Sequence, residues 1–137
     1  AVTTSITQVT TWKNDSQTVL TAATKAQAAC TNYPDILTST ITPAITKATN
    51  SIARADTIIS QLNSILSQTQ SASSSSSVAD QISSVQAANA YANIEMPSTD
   101  EMIAASVDSK DTGDSTPASL FTKLTYLAEH NCTAMAN

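Results

Sequence analysis

The sequence predicts an all-α, single-domain bundle of about five helices, and three observations carry that prediction. In ITPAITKATNSIARADTIISQLNSILS, Ile, Leu or Ala recurs at positions 41, 45, 48, 52, 55, 59, 62 and 66. Gaps that alternate between four and three are the repeat of one helical face. One glycine and four prolines leave few of the turn signals that punctuate β-proteins. A chain of 137 residues is one domain's worth and can bury a core.

The first helix is expected from about Thr4 to Cys30, where Val9, Trp12, Ser16, Val19, Ala23, Ala26 and Cys30 keep the same rhythm. Asn32 can then cap, and Pro34 suits a first turn. Ile36, Leu37 and Ile41 begin a short helix that meets Pro43. A proline there removes a backbone hydrogen bond, so either the helix kinks or Thr42 caps a fresh start. From Thr42 to Ser67 the second long helix would measure about 39 Å at 1.5 Å per residue. Ser71 and Ser73 to Ser77 read as a flexible low-complexity loop over about 70–77. Val78, Ile82, Val85 and Asn89 mark another helical face, reaching about Ala92, and Pro97 closes that stretch.

Ser98-Thr99-Asp100-Glu101 has the pattern of a capping box, opening a short helix that carries Met102, Ile103 and Val107. Residues 109–115 read as a polar loop with Asp111, Asp114 and the single glycine. Thr116-Pro117 is expected to start the last helix, whose apolar face is Leu120, Phe121, Leu124, Leu127 and Ala128.

Cys30 and Cys132 are the only cysteines, and both fall at helix ends. An even count in a Ser/Thr-rich chain points to one disulfide formed in an oxidising compartment. Two sequons, Asn14-Asp15-Ser16 and Asn131-Cys132-Thr133, make Asn14 and Asn131 glycosylation candidates and point the same way. The chain lacks an initiator Met and a signal-like segment, which reads as a mature, processed form of an extracellular or cell-wall protein.

Charge excludes several classes. The net charge is −5, and the six bases are scattered, with no cluster to engage nucleic acid or an anionic membrane. No apolar run approaches the ~20 residues of a membrane span. The one histidine, His130, sits near the end of the last helix, where a helix terminus explains it. No cysteine, histidine or acid spacing resembles a metal site. A phosphate loop is not possible with one glycine. The expectation is a protein without catalytic residues, metal or cofactor.

What remains is apolar surface. Aromatic residues make up only 4% of the chain, and its long seam is aliphatic. Helices of this kind can hold a ligand between them in a slot with few polar anchors. Helical periodicity nominates Val19, Ala23, Ile45, Ile52, Ile59, Leu62, Ile82, Val85, Leu120 and Leu124 as its lining. An apolar small molecule such as a fatty acid or a sterol would suit it.

The segments ITQVTTWKNDSQTVLTAATKAQA and ITKATNSIARADTIISQLNSIL resemble the fungal hydrophobic-surface-binding and antigenic cell-wall galactomannoprotein family. The likeness covers about the first half of the chain, and the cysteine pair and polyserine stretch depart from the family. It implies a small helical bundle, in or released from the cell wall, that binds long-chain fatty acids internally or coats hydrophobic solids. Two other classes stand beside a lipid-binding module. One is a glycosylated surface protein that adsorbs to hydrophobic material; the other is a secreted helical inhibitor or effector whose protein partner the residues do not name.

Overall fold

A computed structural model describes residues 2–72 and 78–133, which form an all-α domain with no strand among them. Five helices have ten residues or more: α1 (Val2–Ala29), α3 (Thr42–Ala72), α4 (Val78–Ala92), α5 (Thr99–Asp108) and α6 (Leu120–Glu129). A single turn, α2 (Pro34–Ile36), and a π-helical turn (Leu37–Ile41) lead into α3. Of the loop expected over 70–77, residues 70–72 continue α3, and residues 73–77 lie outside the described residues.

The π turn resolves the problem posed by Pro43. Thr42 donates its amide to the Leu37 carbonyl five residues back, and its own backbone is helical, so it does not cap a new helix. Pro43 has no amide to give, and its ring would press on the carbonyl four residues behind it. One extra residue in the preceding hydrogen-bonded ring moves that carbonyl aside. The rod passes through the proline without a break.

α1 and α3 run antiparallel and form the spine, with α6 packed on α1. Their contact buries two separate clusters. At one end Val19, Ala22, Ala23, Ala26 and Cys30 meet Ile41, Ala44, Leu124, Leu127 and Cys132. At the other, Val9 and Trp12 meet Ala55, Ile58 and Leu62. Between them the facing positions are small: Ser16 on α1, Ala48 and Ser51 on α3.

Cys30 and Cys132 are bonded, with Cα atoms 5.2 Å apart and a separation of 102 in sequence. The bond ties the end of α1 to the chain just past α6, as expected. Asn131 and Cys132 both take positive φ angles, 53° and 63°, in the tight turn that brings the sulfur back. His130 ends α6 and stacks on Tyr126, with ring centroids 3.8 Å apart.

Three expectations change. The α4 face of Val78, Ile82, Val85 and Asn89 points to solvent, with the first three 53–70% exposed. α4 instead docks on α3 through Ala87, which is buried, and the half-buried Ser83 and Tyr91 on the same side. The Tyr91 hydroxyl lies 2.7 Å from the Ser5 hydroxyl on α1. On α5, Met102 is half-buried but Ile103 and Val107 are exposed. The last helix starts at Leu120, not at Thr116-Pro117, because Ser119 is its cap: the Ser119 hydroxyl accepts from the Thr122 amide at 3.1 Å. Ser119 also donates to the Lys110 carbonyl, and Thr112 donates its amide to the Thr122 hydroxyl at 2.8 Å, so the loop is fastened to the helix it precedes.

The capping box at α5 forms as expected. The Glu101 amide donates to the Ser98 hydroxyl at 3.0 Å, and the Ser98 amide donates to the Glu101 carboxylate at 2.8 Å. That amide, followed by the Arg54 guanidinium, holds the Glu101 carboxyl below its ordinary value of 4.5. Stabilisation from a lowered carboxyl is complete above its ordinary value and is lost as pH falls through the lowered one. Ser98→Ala is expected to cost about 1 kcal/mol at neutral pH. Thermal melts check it, and an unchanged melting temperature would show that the cap adds nothing.

Candidate functional site

The waist between the two core clusters opens into a groove of about 960 Å³. Its floor comes from α1, where Trp12, Ser16 and Val19 follow the spacing of one helical face. One wall is α3, with Ala44 and Ala48 deep and Thr42, Pro43, Thr46, Lys47, Asn50, Ser51 and Arg54 towards the mouth. The opposite wall is α5, through Asp100, Glu101, Ala104, Ala105 and Asp108, while Thr38 and Leu120 close one end. A second cleft, between α1 and α6, holds only about 360 Å³ and is lined by Gln17, Lys25 and Glu129 among others.

α5 packs chiefly on α1, and two ion pairs join it to α3 across the groove. Arg54 Nη1 lies 2.9 Å from Glu101 Oε1, and Lys47 Nζ lies 3.9 Å from Asp108 Oδ2. The partners are seven residues apart on both helices but pair in reverse order, so the two helices run in opposite directions, with the pairs about 10 Å apart along the axis. The Arg54 guanidinium also lies over the Trp12 ring, 5.1 Å from its centroid. One side chain therefore links α1, α3 and α5 at that end. Exposed pairs of this kind contribute little to stability.

Among the described residues four polar side chains are buried: Ser5, Ser16, Ser119 and Thr122. Ser5 pairs with Tyr91, and Ser119 and Thr122 belong to the loop network. Ser16 is 5% exposed and has no hydrogen-bond partner among the described residues. Thr18 and Thr24 on the same helix donate to the carbonyl four residues back; Ser16 does not. Since no side-chain nitrogen or oxygen of the described residues is both sealed off and unpaired, the Ser16 hydroxyl opens onto the groove it lines.

Among the ten residues nominated from periodicity, Val19 and Leu120 line this groove. Ala23 and Leu124 are buried in the disulfide-end cluster, with Ile45 half-buried against it. Leu62 is buried in the other cluster, with Ile59 half-buried beside it. Ile52 is half-buried outside the groove, and Ile82 and Val85 are exposed on α4. Large aliphatic residues fill space, whereas Ser16, Ala44, Ala48, Ala104 and Ala105 leave it open. The paired alanines at 44 and 48, one helical turn apart, are the signal that points to the groove.

Asn14 and Asn131 are both exposed. Among the described residues no three or more His, Cys, Asp or Glu side chains are grouped to hold a metal, and no helix is long and apolar enough to cross a membrane. No family model matches the chain, and no curated protein or solved structure matches it significantly.

Proposed function

We propose that this chain is a secreted or cell-wall protein that holds a small apolar ligand, a fatty acid or related lipid, in the groove between α1, α3 and α5. The observation that carries the reading is the groove itself: about 960 Å³, floored by Trp12, Ser16 and Val19 and walled at depth by Ala44, Ala48, Ala104 and Ala105, within the range of sites that enclose small molecules. The disulfide is compatible with an oxidising compartment, and the exposed sequons and the resemblance to cell-wall lipid binders support the same reading. Titrating the delipidated protein with a fluorescent fatty acid tests it. Saturation at micromolar concentration is the expected result, and a signal that never saturates would end the proposal.

A second reading has one observation in its favour. Val78, Ile82 and Val85 on α4, and Ile103 and Val107 on α5, are all more than half exposed. Apolar residues so placed suit a protein that adsorbs to hydrophobic solids. Depletion by polystyrene beads with no lipid binding would favour that reading over the first.

A further inference from the structure

We propose that the groove selects lipids with an uncharged hydroxyl head, a long-chain alcohol or a sterol, over the matching carboxylates, and that Ser16 receives the hydroxyl. The inference rests on the groove being a lipid site, and it specifies which end chemistry that site accepts.

Ser16 offers an unmet hydrogen-bonding group. A side chain 95% removed from solvent, open to the groove and without a partner is a polar atom placed where a ligand would lie. A serine hydroxyl is one donor and an acceptor, the same complement that an alcohol carries. A bound hydroxyl satisfies it, whereas a purely hydrocarbon ligand seals it off unpaired, which is costly.

Charge points the same way, independently. The ionic groups lining the groove are Lys47 and Arg54 against Asp100, Glu101 and Asp108, a balance of one negative. Arg54 is already engaged, by Glu101 at 2.9 Å and by the face of Trp12. Lys47 faces Asp108, and Asp100 has no basic partner among the described residues. A carboxylate head that recruited either cation would leave a protein carboxylate uncompensated beside it. The chain as a whole, at −5, adds to the repulsion. A neutral head meets none of this opposition.

The test is competition for a bound fluorescent lipid probe at neutral pH, using the intact, delipidated protein. The competitors are hexadecan-1-ol, a sterol, hexadecanoate and hexadecane. At least one of the two hydroxyl lipids should compete about tenfold better than hexadecanoate. Ser16→Ala should weaken that hydroxyl lipid roughly fivefold and leave hexadecane no weaker. Asp108→Asn, on the α5 wall opposite Lys47, should strengthen hexadecanoate binding about threefold by freeing Lys47. Hexadecanoate competing as well as both hydroxyl lipids overturns the selection. A folded Ser16→Ala protein with unchanged hydroxyl-lipid affinity overturns the role of Ser16. Failure of every competitor and of the probe to bind removes the lipid site itself, a different result from either.

Discussion

Replacing Cys30 and Cys132 together by alanine is expected to lower the unfolding free energy by about 4–5 kcal/mol. The bond joins positions 102 apart in a chain of 137, so its removal frees a long loop of the unfolded chain. Its loss would consume a large part of the ~5–15 kcal/mol that keeps an ordinary domain folded. Both cysteines lie in the same buried cluster as Ala26, Ile41 and Leu127, and alanine leaves a small packing defect there as well. Urea denaturation checks the result: the midpoint should fall, and the slope should rise because an untied chain exposes more surface. The melting temperature should drop on the order of 15 °C. A loss below about 1 kcal/mol would mean that packing alone holds α1 against α6.

Ala104→Trp is expected to weaken ligand binding roughly 100-fold while leaving the fold intact. Ala104 is half-buried on α5 and faces the groove, so an indole there enters existing space instead of displacing packed neighbours. Overpacking a closed core costs stability, and this position avoids that cost. Ile82→Trp, on the exposed side of α4 and outside the groove, is the matched control and should leave affinity unchanged. Probe titration of both variants, with a thermal melt of each, gives the answer. Full affinity in a folded Ala104→Trp protein would place the ligand elsewhere.

These two experiments bear on features that were unequally legible in the sequence. The disulfide could be read because only one pairing is possible between two cysteines. The capping box was legible because Ser98 and Glu101 lie within one turn and need no distant partner. The orientation of α4 was not, since it depends on Tyr91 meeting Ser5 across 86 residues, a contact that local periodicity does not contain. Nor was the start of α6, which the network of Lys110, Thr112 and Thr122 around Ser119 decides. The groove was half legible. The seam from Ile41 to Leu66 located the helix that walls it, but hydrophobic rhythm finds the residues that fill a core. A cavity is drawn by the small ones between them, Ser16 and Ala48 above all.

The π turn at Leu37–Ile41 reaches further than the proline it accommodates. Each residue added to or removed from a helical rod rotates everything beyond it by about 100°. Shortening this turn by one residue would set two anchors at odds. The turn from Cys30 through α2 would hold one angular setting, and the contacts of α3 with α1 another. If the former prevailed, Ala44 and Ala48 would swing away from Ser16 and larger neighbours would take their place. A single additional peptide unit, at the end of the cavity that Thr38 closes, thus keeps the small residues of α3 turned towards Ser16.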